Sequence, residues 1–235
     1  MPRKTRFTAE DVILAALELV REKGLPGLSA PAVANKMGCS TMPIYSHFKN
    51  MQALEDEVVK KIWGMVTEYQ IKQYTGDVWI DQAIGWVRFA RDEENLFKCM
   101  LDSHNLELQY EIRMRHWTYT AGLLKGYKGF DGLDEYQRER LRHSRAMLTH
   151  GVAMSPKLGM NKVIVENDEI LSGYLASASQ ALLEGYKKIP PLEEKKKRVM
   201  REKLEEIKNH SQEWPQYYTD FVNYQLSDCS GGEED

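Results

Sequence analysis

Apolar residues recur along most of this chain at spacings of three and four, in stretches broken by glycine, proline and small polar residues. In the first stretch Val12, Ala16 and Leu19 interleave with Ile13, Leu17 and Val20, which predicts a helix over about residues 9–23. Thr8 and Asp11 have capping-box spacing, with Asp in place of Glu. Gly24 closes the helix and Pro26-Gly27 makes a turn. Ser29 predicts the N-cap of a short second helix, and Pro31 falls in its first turn, where a missing N–H costs nothing. Val33, Ala34 and Met37 supply its inward face, and Gly38 ends it. Ser40 predicts the cap of a third short helix with Pro43 in its first turn. Ile44 and Phe48 continue the inward face together with Cys39. Two short helices around a glycine turn read as a helix-turn-helix.

The body keeps the helical period. Asn50 predicts the cap of a fourth helix to about residue 72, with Leu54, Val58, Ile62, Met65 or Val66, and Tyr69 inward. A helix this long would link head to body and act as a lever between them. Trp79, Ala83, Trp86, Val87 and Ala90 predict a helix over 77–92, and "ENLFKCML" predicts a short one. Another covers 106–125, with Leu108, Ile112, Trp117, Ala121 and Leu124 inward. "GYKGFDGLD" is a glycine-rich loop, and a helix over 133–154 stops at Ser155-Pro156. "KLGMNKVIVEND" reads as a loop with one short extended piece. The helix over 168–188 places Leu171, Leu175, Ala178 and Leu182 inward. Its small residues Gly173, Ala176, Ser177, Ser179 and Ala181 allow close helix approach, so with 133–154 it could form a dimeric four-helix bundle. Beyond Pro190-Pro191, residues 192–211 read as an exposed charged helix; Glu interleaved with the basic run 195–198 favours a solvated face. "EWPQYYTDFVNYQL" would pack on the body or a partner subunit, and 227–235 reads as a disordered tail. The predicted fold class is all-α: a three-helix helix-turn-helix domain at 1–50, a linking helix at about 50–72, and a larger helical domain within 51–226.

Composition narrows the function classes. The 235 residues are 42% hydrophobic and 29% charged, enough for a core without being disordered. No run of about 18 apolar residues occurs, and no apolar stretch follows the basic start, so the cytoplasm is the expected location. Cys39, Cys99 and Cys229 do not make a disulfide framework. With no Cys-x-x-Cys and no His-Glu-x-x-His, neither a metal site nor a cofactor is expected; His143 and His150, seven apart, read as surface or core histidines. No glycine-rich phosphate loop, nucleophile elbow or convincing carboxylate pair points to an enzyme. The net charge is −3, but residues 1–50 hold seven Lys/Arg and four acids, leaving −6 for the remainder. A modestly basic head on an acidic body suits a head that meets an anion.

The third helix carries the sharper signal. No acid lies between Asn35 and Asn50, and the outward face offers Ser40, Thr41, Met42, Pro43, Tyr45, Ser46 and His47. A solvated helix face normally carries Glu and Lys. Hydroxyls, a thioether and an aromatic suit base edges and phosphates in a major groove. Thr41 and Met42 are the candidate base readers, with Pro43 in apolar contact. Tyr45, His47 and Lys49 are placed for phosphates, which position rather than specify. Ser29 at its helix N-terminus could take another phosphate. Arg3, Lys4 and Arg6 form a basic arm that could reach the backbone or minor groove.

The first helix, "LSAPAVANKMGCS" and "PIYSHFKNMQAL" together resemble the N-terminal domain of the tetracycline-repressor (TetR) family of bacterial transcription regulators, over residues 8 to about 60. The resemblance implies an all-helical homodimer on an inverted repeat of double-stranded DNA, with a C-terminal domain for effector binding and dimerisation. It implies a ligand-responsive regulator, a repressor released by a small molecule. Thr41, Met42, Pro43, Tyr45, His47 and Lys49 match family positions that touch DNA. Lys49-Asn50-Met51 departs from the more usual Lys-Glu pairing there. "FARDEENLFKCM" and His150-Gly151 resemble one effector-binding subgroup, although Ala146 stands where that subgroup has Trp. Candidate effector contacts are Trp86, Phe89, Met100, His104, Trp117, Tyr119 and His150, large or polar-tipped groups that hint at an apolar or aromatic ligand. The competing readings are a helical protein-interaction adaptor and an enzyme with a helical body.

Overall fold

The structure, a computed structural model, describes residues 7–102, 105–190 and 202. Arg3, Lys4, Arg6, His104, nearly all of the charged stretch 192–211, the aromatic segment after it and the tail 227–235 lie outside the described residues. Among the described residues the fold is all-α with no strand.

Three helices make the head: α1 (Ala9–Lys23), α2 (Ala30–Met37) and α3 (Met42–His47). The Thr8–Asp11 capping box forms, with the Asp11 amide donating to Thr8 Oγ1 at 3.2 Å and the Thr8 amide donating to Asp11 Oδ2 at 2.7 Å. The Thr8 backbone hydrogen bond, then its hydroxyl, holds the Asp11 carboxyl below the usual carboxylate range. Ser29 caps α2 through the Ala32 amide, and Gly38 ends it at φ +65°, a left-handed conformation glycine adopts without strain. Val12, Ala16, Val20, Val33, Ala34 and Ile44 are buried between the three helices, and Phe48 closes the edge.

One cap differs from expectation. Ser40 does not cap α3; the N-cap is Thr41, already in helical geometry, and it makes no side-chain cap bond. The Thr41 carbonyl accepts from both Ile44 and Tyr45, so the turn tightens one residue later than the Ser40-Pro43 spacing suggested.

Next, α4 (Met51–Ile71) starts on the Asn50 cap, whose Oδ1 accepts the Ala53 amide at 2.9 Å. Its 21 residues reach about 30 Å at the α-helical rise. The near end packs on α1, where Lys61 pairs with Glu10 at 2.7 Å, and the far end packs on α5 (Val78–Asp92). The rest of the body is α6 (Glu94–Asp102), α7 (Leu106–Gly122), α8 (Glu135–Met154), α9 (Lys162–Glu166) and α10 (Asp168–Lys188). Helix α5 is the hub, in contact with α4, α6, α8, α9 and α10. Head and body also meet through α1 and α6, where Arg21 pairs with Glu93 at 2.8 Å and Asn95 Nδ2 donates to the Arg21 carbonyl at 2.9 Å. One hydrophobic core runs from Val12 in the head to Leu175 in α10; a smaller cluster around Trp79, Phe130, Leu141 and Leu183 closes the far end. Among the described residues no helix is long and apolar enough to cross a membrane.

Three body readings change. The seventh helix ends at Gly122, and Leu124 is buried in the turn that follows. The expected extended piece in "KLGMNKVIVEND" is instead the short helix α9, because Val165 is buried and its carbonyl is held by Arg91 at 3.1 Å. In α10 the fully buried positions are Leu171, Leu175, Ser179 and Leu183; Leu182 is partly buried against the far-end cluster, and Ala178 is half-buried. The Trp79 indole donates to the Ser179 carbonyl at 3.3 Å and draws that side of the helix onto α5.

Candidate nucleic-acid interface and ligand cavity

Buried Ile44 and Phe48 anchor α3 on α1 and α2, and a helix of six residues then has little choice about what it presents outward. Met42 is 77% exposed and Tyr45 53%; Ser46 and His47 are exposed beside them, and Thr41 and Pro43 are half-buried. Ser29, Ser40 and Lys49 are exposed on the flanks. Single exposed apolar residues are common. Met42 and Tyr45 together, on a face without an acid, are a different matter. Two groups are already engaged. The His47 ring bonds the Phe7 carbonyl at 2.9 Å, tying the chain's start to α3, and Ser46 Oγ donates to the Pro43 carbonyl at 2.7 Å. Lys36 is held between Glu22 at 2.9 Å and Glu18 at 3.2 Å, away from this face.

A cavity of about 420 Å³ lies in the body, bordered by α4 to α8. Four sequence candidates line it: Trp86, Met100, Trp117 and His150. Phe89 does not; it is fully buried, edge-on to Tyr69 and packed near Phe97. Tyr119 does not; it is exposed on a separate surface groove with Lys60 and Arg115. His143 lines the cavity with His150, on the same face of α8.

Sequence reasoning missed the cavity's polar wall. His116 bonds Thr67 Oγ1 at 3.1 Å and Gln70 Oε1 at 2.6 Å. Gln70 Nε2 donates to the Gln82 carbonyl at 3.0 Å, and Gln82 Nε2 donates to the Thr120 carbonyl at 3.1 Å. Arg145 Nη2 donates to Gln82 Oε1 at 2.9 Å. Trp63, from the linking helix α4, packs on both Trp86 and His116. One signal could have found this wall. Between Leu141 and Leu148 the helix α8 has only Ala146 and Met147 as apolar residues, so polar side chains must fill its inward stripe.

Burial pushes the His116 pKa from 6.5 down to about 4, with Arg142 adding to the effect, and burial followed by Arg113 and Lys157 lowers His150. Between those two pH values the unfolded chain binds a proton at His116 that the folded chain refuses. Stability therefore falls as pH drops through that window. The melting temperature of His116→Gln should fall less than that of the parent between pH 6.5 and 4; parallel curves would count against a neutral buried imidazole.

Residues 12–58 match the family model for bacterial regulatory proteins of the tetR family, a span that holds α2, α3 and the start of α4. The likeness to the tetR family is carried by this head. The TetR-type head is also what curated relatives share. Tetracycline repressor protein class D of Escherichia coli is 36% identical over 74 residues, which is 32% of this chain and 34% of that protein. Tetracycline repressor protein class A from transposon 1721 of Escherichia coli is 30% identical over 87 residues, 37% of this chain and 40% of that protein. The matched stretch thus spans between a third and two fifths of these relatives. The fold extends further. A transcriptional regulator from Rhodococcus sp. Rha1 superposes with a TM-score of 0.55 at 18% identity, over 78% of this chain and all of that one. A protein of unknown function from Rhodococcus sp. RHA1 gives 0.54 at 18% identity, over 79% of this chain and 98% of that one. These likenesses are of fold alone: a helix-turn-helix head on a larger helical domain.

Proposed function

We propose that this chain is a ligand-responsive DNA-binding transcriptional regulator, a repressor that binds an inverted repeat as a homodimer and is released by a small molecule. The observation that carries the reading is the outward face of α3, exposed, acid-free and held rigidly by Ile44 and Phe48. In this reading Thr41, Met42 and Pro43 contact bases, and Tyr45, Lys49 and Ser29 contact phosphates. His47 acts chiefly by holding the N-terminal segment, since its ring is bonded to the Phe7 carbonyl. The functional boundary falls at residue 50, with α4 as the link.

Dimerisation is supported by exposed apolar and small residues in the second half of the body. Leu158, Met160, Val163, Ile170 and Tyr174 are exposed on elements that pack against one another, and α10 also exposes Gly173, Ser177 and Ala181. Effector response is supported by α4 itself. Its first turn follows the α3 face, while Trp63 and Gln70 further along border the cavity. A ligand that favours one setting of α4 changes the spacing of two heads, provided it binds the two settings unequally.

The test is selection of duplexes from a random library by the purified protein, followed by titration at several salt concentrations. An enriched sequence with two-fold symmetry, bound more weakly as salt rises, is the expected result. Failure to enrich any sequence, with and without cell extract, would sink the reading. Its likeness to tetracycline repressors makes tetracycline a natural first compound for displacing the protein from the selected duplex.

A further inference from the structure

The charged lining of the cavity has one sign. Arg113, Arg142 and Arg145 all border it, and among the described residues no acidic side chain does. Their situations differ. Arg142 has its counter-charge in Glu139, which also accepts the Trp117 indole N–H at 3.0 Å, so that carboxylate is fully engaged. Among the described residues Arg145 has none at contact distance. It is buried, and its guanidinium donates to neutral oxygens, the Trp79 carbonyl and Gln82 Oε1, while lying 3.5 Å from the centre of the Trp79 ring. Asp77, the acid whose field reaches it, is taken by the Tyr127 hydroxyl at 2.9 Å and by the Trp79 amide at 2.8 Å.

A guanidinium has five N–H donors in a planar fork, and two of those on Arg145 have acceptors here. Holding such a group out of water beside a second arginine is costly unless an anion arrives. Around it the walls are flat and aromatic: Trp86 and Trp117, with His143 and His150. Among the described residues the buried Trp86 indole N–H meets no acceptor, a further donor on the same wall.

We propose that the cavity takes a planar organic anion, an aromatic carboxylate, with Arg145 as its charge anchor. The inference rests on the effector reading above and narrows it, from an apolar or aromatic ligand to an aromatic one bearing a negative group. Size agrees, since ligand pockets of about 300–1,000 Å³ suit small organic molecules.

The experiment compares matched probes on the full-length protein. Benzoate, indoleacetate and naphthoate are each titrated against the corresponding carboxamide, following tryptophan fluorescence, since Trp63, Trp86 and Trp117 border the cavity. At least one carboxylate should bind about 10- to 100-fold more tightly than its amide, the span of a charge-assisted hydrogen bond to a buried group. Arg145→Met should erase that preference, bringing the acid and its amide to equal affinity. Because the acid–amide comparison is made on the unaltered protein, it stands even where the variant fails to fold. Equal binding within every pair, preference for the amides, or no binding of any probe overturns the anion assignment. A retained acid preference in folded Arg145→Met overturns the anchor. The effector reading is judged separately, by whether any compound from a neutral library raises the melting temperature and releases the selected duplex; it falls only if none does and no carboxylate does either.

Discussion

Replacing Met42 and Tyr45 together by glutamate should abolish duplex binding and leave the melting temperature unchanged. Both side chains stand in solvent, so the fold loses little packing; surface substitutions away from special features cost about 0.5 kcal/mol or less. Met42 is the first residue of α3, where a carboxylate near the helix N-terminus is mildly favourable. The effect on binding has the opposite sign. Two negative charges would be pressed toward phosphates on a face that now has no acid, against a backbone that supplies most of the affinity. A loss of about 100-fold or more is expected by fluorescence anisotropy on the selected duplex, with Leu14→Glu, exposed on α1, as a charge control on the same head. Binding at parental strength would show that this surface does not enter a groove. The adaptor reading makes that prediction.

The second large effect is on stability. Gly85 faces the α4 backbone so closely that a Cβ there would overlap the Tyr69 carbonyl and lie 2.6 Å from the Gln70 Cα. A side chain could turn aside, but a helix backbone cannot. Gly85→Ala must force α4 and α5 apart, at a cost of about 3 kcal/mol by the scale of overpacked cores. It should also loosen the Gln70–Gln82 link that crosses the same contact and forms part of the cavity wall. Gly64→Ala is the control. Nothing lies within 4 Å of a Cβ there, and alanine in an exposed helix interior should gain about 0.5–1 kcal/mol. Urea denaturation of the two variants should move in opposite directions. A stable Gly85→Ala would mean the two helices are not held in close contact.

Much of the head was legible because its signals are local. Thr8 with Asp11, Ser29 with the Ala32 amide, and Asn50 with the Ala53 amide each act across three residues, and all three formed. Gly38 is a backbone requirement read from one residue. The miss at Ser40 is of the same local kind: two adjacent hydroxyls can both serve as caps, and the pull of Ile44 into the core selected the later register.

The body was legible as helices and not as a site. A β-branched run, Val163-Ile164-Val165, suits extended backbone in isolation, yet its contacts with α5 and α10 wound it into α9. The buried line of α10 is centred on Ser179 and Leu183, with Ala178 and Leu182 half-buried beside it, because α5 and α8 lie on that side. Phe89 and Trp86 are three residues apart with similar bulk, but one is core and the other cavity wall.

From residue order alone came the all-helical class, the helix-turn-helix and the identity of its outward face, since capping and amphipathic periodicity operate within a turn or two of helix. Only the packed structure decided which large side chains enclose a space and which fill one. It alone brought Arg145 of α8 to Gln82 and Trp79 of α5, more than sixty positions earlier. The charge of a buried group depends on what surrounds it in three dimensions, and no spacing along the chain encodes that.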